Sequence, residues 1–156
     1  MHVLKHQNYL LICDHNLDNY KFLDHTTDIL VETHSQSIEG VFTQAGLALS
    51  DTMIDLSTIE SKLNKKINVT GYDLPSLLYN WLEELIVIFD IEGIIFNDFK
   101  INIIQSKNYK LEATALGEIF NKIKHKPKIE VKAVTYHMLK IKKLNNRFNA
   151  KFLLDI

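Results

Sequence analysis

The segment Asp24-His25-Thr26-Thr27-Asp28 places two carboxylates and an imidazole within five residues, and Ile29-Leu30-Val31 follows at once. A β-branched run of that kind predicts a strand entering the core, so the acids sit at a strand mouth with a defined direction. Carboxylates held this way suit a hard divalent cation, which takes oxygen ligands. The same composition also makes an ordinary solvated turn, because Asp and Thr are common turn formers. A histidine beside a carboxylate can serve as a general base or a zinc ligand. In this setting hydrogen bonding that shapes the turn is the better role for His25, and it is not read as catalytic.

Other residues bear on the same chemistry. Cys13, His15 and His25 do not form the closely spaced pairs of a structural zinc site, so zinc is not expected. Asp155 stands one residue before the end of the sequence as written; a terminal carboxylate on Ile156 would lie within reach of an ion held by Asp155, and a C-terminal tag would then disturb the site. Alone, Asp155 reads as a frayed acidic end. Lys132 alternates with Val131 and Ala133, which places it on the strand face shared by Val134 and Tyr136. There it either snorkels or presents a positive charge to a phosphate or a partner carboxylate. Glu118, after Gly117, reads as a loop acid.

The elements that position these residues follow from periodicity. Residues 1–20 form an N-terminal arm with weak periodicity and one short candidate strand, Tyr9 to Ile12; residues 21–156 form the domain. Ser35 or Ser37 caps a helix whose apolar positions, Ile38, Val41, Phe42, Ala45, Ala48 and Leu49, form one stripe. A loop over 51–64 leads to a strand over 66–70. Asp73 caps a second helix, with Pro75 at its start and Leu74, Leu77, Leu78, Trp81, Leu82, Leu85, Ile86 and Phe89 spaced by three and four. That stripe makes Trp81 a core residue, while Glu83 and Glu84 fall outside it.

From Ile94 onward the period drops to two. Two strands flank a turn at Ser106-Lys107-Asn108, and two more, over 129–142 and 147–154, flank Leu144-Asn145-Asn146. Helices followed by hairpins predict an α+β fold: mainly antiparallel β-sheets packed with two amphipathic helices.

The motifs occur in a telling order. Asp24-His25-Thr26-Thr27-Asp28 is followed by Phe42-x-x-Ala45, Asp73-Leu74-x-x-Leu77-Leu78-x-x-Trp81-Leu82, Gly117-Glu118, Val131-Lys132-Ala133-Val134-Thr135-Tyr136-His137 and Leu154-Asp155-Ile156. Over about residues 20 to 156 this series resembles archease, with Thr27 where the family usually has alanine. The resemblance implies an activator of the RtcB-type RNA ligase, which joins tRNA halves in tRNA splicing and repairs broken RNA. Such a protein promotes ligase guanylylation and multiple turnover without catalysing a reaction itself. It further implies a divalent cation, typically calcium, on Asp28, Asp155 and an oxygen of Ile156. Lys132 is implicated in function, and Asp24, His25 and Glu118 are candidate tip or partner-contact residues. RNA would then be reached through the ligase.

Composition bounds the alternatives. The chain has 156 residues, 46% of them apolar, with five glycines and two prolines, which predicts one domain with a sizeable core. No apolar run approaches the ~18 residues of a membrane span, and Lys5 to Asn8 interrupt anything resembling a signal peptide. With a single cysteine, Cys13, the cytoplasm is the expected compartment. The charge is polarised: from Lys122 to Ile156 ten basic residues face two acids, against eight basic and seventeen acidic residues elsewhere. That asymmetry can orient the molecule against a charged partner, or it solvates a strand face. Two other classes remain open. A metal-dependent phosphoesterase would normally assemble a second His/Asp cluster, which this chain lacks. A general RNA- or protein-binding chaperone would use the basic segment, with Tyr136 and Phe148 as the available aromatics, although both suit a core.

Overall fold

The computed structural model describes residues 18–156. The candidate strand at Tyr9 to Ile12 and the residues Cys13 and His15 lie outside them. In chain order the elements are β1 (Asn19–Leu23), β2 (Ile29–Ser35), α1 (Ile38–Met53), a 3-10 turn (Leu56–Thr58), β3 (Leu63–Gly71), α2 (Leu74–Glu92), β4 (Ile94–Gln105), β5 (Tyr109–Ile119), β6 (Ala133–Leu144) and β7 (Arg147–Asp155). They form a four-stranded sheet in the order β1-β2-β7-β6 and a three-stranded sheet in the order β3-β5-β4. Every pairing is antiparallel, so the α+β class holds.

Each helix touches both sheets. α1 packs on β2 and β4, and α2 on β3 and β6. Ser37 caps α1 by accepting from the Gly40 N–H, while the Ser35 hydroxyl accepts from the Ser37 N–H. The predicted stripe is buried at Val41, Phe42, Ala45, Ala48 and Leu49. Asp73 and Ser76 close a reciprocal capping box at α2, and Gly93 ends that helix at φ 67°, a left-handed conformation that glycine adopts at little cost. Trp81 is fully buried and donates Nε1–H to the Phe42 carbonyl at 3.0 Å. The bond ties the two helices together through a group that would otherwise be an unsatisfied donor in the core.

Several boundaries differ from expectation. β1 has no counterpart in the sequence pattern: its exposed Lys21 and Phe22 show no alternating burial, and the strand is held by its ladder with β2. β3 begins at Leu63 because Lys62 N–H already donates to the Gly117 carbonyl. The expected strand over 129–132 is absent from the ladders. Just before those residues the chain is attached to the end of α1 by a bridge between Ile54 and Pro127 and a bond from Lys128 N–H to the Met53 carbonyl. Gly117-Glu118 lies inside β5, not in a loop. The Asn145-Asn146 turn between β6 and β7 has both residues at positive φ, as tight hairpins of matching twist require. No helix of the described residues is long and apolar enough to cross a membrane.

Candidate functional site

The β2–β7 ladder pairs Ile29 with Leu154 and Val31 with Phe152. Asp28 immediately precedes Ile29 and Asp155 immediately follows Leu154, so the two acids leave the same end of the four-stranded sheet. On the other side of β7, Asp155 pairs with Ala133, and Lys132 N–H donates to the Asp155 carbonyl at 2.8 Å. Asp28, Lys132, Asp155 and Ile156 therefore share one sheet end, or tip. Asp28 is half-buried and the other three are exposed.

Asp24 and His25 lie in the exposed β1–β2 turn and line a cleft of about 340 Å³ together with Asp28, Asp51 and Lys128. On the far wall Lys128 Nζ donates to an Asp51 carboxylate oxygen at 3.0 Å, and the Tyr20 hydroxyl donates to the other at 3.0 Å. Burial and this acidic partner raise the Tyr20 pKa well above its ordinary value, which keeps the phenol a donor. Among the described residues no hydrogen bond reaches the His25 side chain, contrary to the turn-shaping role expected of it; the residue is exposed at the cleft.

The Lys132 expectation needs correction too. Val131 and Val134 are buried, whereas Lys132, Ala133 and Tyr136 are exposed. Strict alternation fails because the ladder starts only at Ala133 and shifts between Thr135 and Lys140, with Met138 at φ 61°. Tyr136 is thus not a core residue. It is 51% exposed and stacks on Tyr79 of α2.

Glu118 belongs to a different cluster. It is 5% exposed and accepts from Glu60 N–H at 3.0 Å, while its Oε1 lies 2.6 Å from His125 Nε2. Lys124 Nζ pairs with it at 2.8 Å and Lys62 Nζ at 3.6 Å. His125 is fully buried, and its Nδ1 accepts from Asn121 N–H at 2.7 Å, so the ring proton lies on Nε2 and points at Glu118. Burial by itself would raise the Glu118 pKa. The hydrogen bonds from His125, Lys124 and Glu60 outweigh it and hold the carboxyl down to about 2. With Nδ1 committed to the backbone, this Glu–His pair fastens the turn over 121–125 to β5 and cannot relay a proton onward. Nothing in the sequence marked His125, a lone imidazole in a lysine-rich run.

The outer face of the four-stranded sheet holds a third group. Glu32 contacts Lys21 at 3.2 Å, Asn149 Nδ2 at 3.1 Å and His34 at 3.6 Å. Its burial is outweighed by these partners, which lower its pKa.

Donor chemistry at the tip fits a hard cation. Asp28 and Asp155 supply carboxylate oxygens, and Ile156 adds main-chain oxygen, the ligand type that calcium prefers. Among the described residues no three His, Cys, Asp or Glu side chains converge as a metal cluster. A cation would thus rest on two side chains, backbone oxygen and water.

Two antiparallel sheets clasping two helices, with acids from both ends of the domain meeting at one end of a sheet, define a small α+β class of protein. The Archease protein family model matches residues 20–156, and the chain belongs to the archease family. It is 44% identical over 142 residues to the archease of Pyrococcus abyssi, covering 90% of this chain and 100% of that one. With the archease of Sulfurisphaera tokodaii it is 37% identical over 140 residues, covering 90% and 100%. The solution structure of protein 1598 from Methanobacterium thermoautotrophicum superposes with a TM-score of 0.79 at 36% identity, covering 88% of this chain and 98% of that one. A crystal structure from Thermotoga maritima, described as an archease and possible chaperone, shares the fold at a TM-score of 0.59 and 19% identity, covering 87% and 96%.

Proposed function

We propose that this protein activates an RtcB-type RNA ligase, promoting ligase guanylylation and repeated turnover in tRNA splicing and RNA repair, and that it does so without a reaction of its own. What supports this reading is family membership together with the meeting of Asp28, Asp155 and Lys132 at one sheet end. In the proposal, Asp28, Asp155 and an oxygen of Ile156 hold a divalent cation, with calcium the best match to an all-oxygen donor set. The ion neutralises the acids and lets the tip approach the ligase's nucleotide site. Lys132 adds a positive charge beside it, directed at a phosphate or a ligase carboxylate. Asp24 and His25 form the rim of the adjoining cleft.

Activation in this scheme is a bias between ligase conformations. The tip must bind the guanylylation-competent state more tightly than the resting one, since a partner with equal affinity for both shifts nothing. Ligase guanylylation measured with wild-type protein and with Asp28→Ala or Asp155→Ala protein tests it. Stimulation is expected to fall at least tenfold in either variant, and a folded variant that stimulates normally would remove that residue from the mechanism.

A further inference from the structure

Around the start of α2 lies a group of tyrosines outside the tip, in which Tyr79 backs onto the core while Tyr72 and Tyr136 are exposed. Tyr136 of β6 stacks on Tyr79 of α2 with centroids 4.1 Å apart and planes 9° from parallel. Tyr72, just before the helix cap, is 73% exposed, and Met138 is 40% exposed. Two acids flank these rings. Asp73 caps the helix by accepting from Ser76 N–H, and Glu83 follows Tyr79 by four residues, on the same side of α2. Among the described residues no cation pairs with either carboxylate. Partial burial, and then the electrostatics of Tyr72, Tyr79, Asp73 and Glu83, raise the Tyr136 pKa; the direct contact is the stack on Tyr79.

Exposed aromatic faces beside carboxylates that no cation neutralises complement a planar cation. A guanidinium stacks on a tyrosine ring while its N–H groups reach a carboxylate; a lysine ammonium, a compact and strongly hydrated point charge, stacks less well. Single-stranded nucleic acid is disfavoured, because platforms that stack bases pair their rings with cations for the phosphates, and here the side chains beside the rings on and before α2 are Asp73 and Glu83, with Lys132 further off at the tip. We propose that Tyr72, Tyr79 and Tyr136, with Asp73 and Glu83, form a docking platform for an arginine-bearing segment of a protein partner. Tyr136 stands three residues beyond Ala133, the pairing partner of Asp155, about 10 Å along the strand. The platform therefore borders the tip, and one protein can cover both. This inference needs neither the cation nor the ligase to hold.

The test measures binding of labelled nona-arginine, nona-lysine and oligo-uridine to the full chain at low ionic strength. Nona-arginine is expected to bind about fivefold more tightly than nona-lysine, within the range of a few exposed cation–π contacts. Tyr72→Ala, which removes a ring that is 73% exposed and so leaves the fold intact, should lower that preference, and Tyr136→Ala should abolish it. Tyr136→Phe keeps the ring and should keep the preference. Glu83→Gln should weaken both peptides. The double variant Asp28→Asn/Asp155→Asn, which disables the tip, should retain the arginine preference. Equal affinity for the two peptides, a preference that survives Tyr136→Ala, a preference lost in the tip variant, or tighter binding of oligo-uridine would each overturn the proposal.

Discussion

Ile29 lies directly across the β2–β7 ladder from Leu154, and this pairing brings Asp28 and Asp155 to one end of the sheet. The register is enforced from within. Val31 and Phe152, two residues further in, are both fully buried, and a one-residue slip would turn both out to solvent. The meeting of residues 127 positions apart in sequence thus follows from core packing, whatever attraction or repulsion the acids themselves supply.

From that relationship comes a prediction about cation binding. Replacing either Asp28 or Asp155 with Asn leaves shape and register alone but removes one of the two proposed carboxylate ligands. Calcium affinity, measured by calorimetry, should fall at least tenfold in each variant, about 1.4 kcal/mol. Wild-type protein should gain about 2.7 kcal/mol of stability at a calcium concentration one hundred times its Kd, and chelation should remove the gain. A wild-type melting temperature indifferent to calcium would contradict the cation-bearing tip.

Lys132 offers a cleaner separation of function from folding. Its backbone holds the tip together through the bond to Asp155, whereas its side chain is exposed. Lys132→Ala should therefore change stability by no more than about 0.5 kcal/mol and still reduce stimulation of ligase guanylylation. A normal rate with the alanine protein would limit Lys132 to its main-chain role.

How far the sequence discloses these arrangements depends on what each residue signals locally. The stripes of α1 and α2, the cap at Asp73 and the hairpin turns are read directly, because burial there follows helical or strand period, while the choice between Ser35 and Ser37 at α1 is settled only by the bond from Gly40 N–H to Ser37. The juxtaposition of Asp28 with Asp155 is invisible to periodicity and comes forward only through the family resemblance. Glu118 and Tyr136 are misread for opposite reasons. Glu118 is buried against Glu60, distant in sequence, and His125, seven residues on across a turn, and no local pattern announces either contact. Tyr136 is exposed because β6 shifts register beyond Thr135, and a period-two reading cannot register a shift. β1 escapes notice because an edge strand with exposed Lys21 and Phe22 lacks a buried face.

Glu118 supplies a pH-dependent component of stability. Its folded pKa of about 2 lies below the ordinary value of 4.5, so the unfolded chain binds more protons in between. The stabilisation is complete above about pH 4.5 and is lost as pH falls toward 2. Glu118→Gln should cost about 2 kcal/mol at neutral pH through weakened charge-assisted bonds, and its stability should decline less steeply below pH 4.5. Denaturant titrations of both proteins across that window check the sign. Parallel curves would mean that other carboxylates carry the acid sensitivity.

Two glycines should respond to alanine for different reasons and by different amounts. A Cβ on Gly117 would stand 1.9 Å from the Ile95 carbonyl oxygen and 2.8 Å from Phe96 Cα. Both are backbone atoms of the paired strand β4, and neither can move without breaking the ladder next to the irregularity between Phe96 and Asp98. Gly117→Ala should therefore cost about 3 kcal/mol and disturb the start of β4. Gly93 meets nothing within 4 Å but sits at φ 67°, so Gly93→Ala carries only the left-handed backbone penalty of about 1 kcal/mol. Chemical denaturation of the two variants should rank them in that order, and amide exchange should quicken at Ile95 and Phe96 only in the first. Equal losses would mean that β4 yields at Gly117 far more readily than its buried Ile95 and Phe96 suggest.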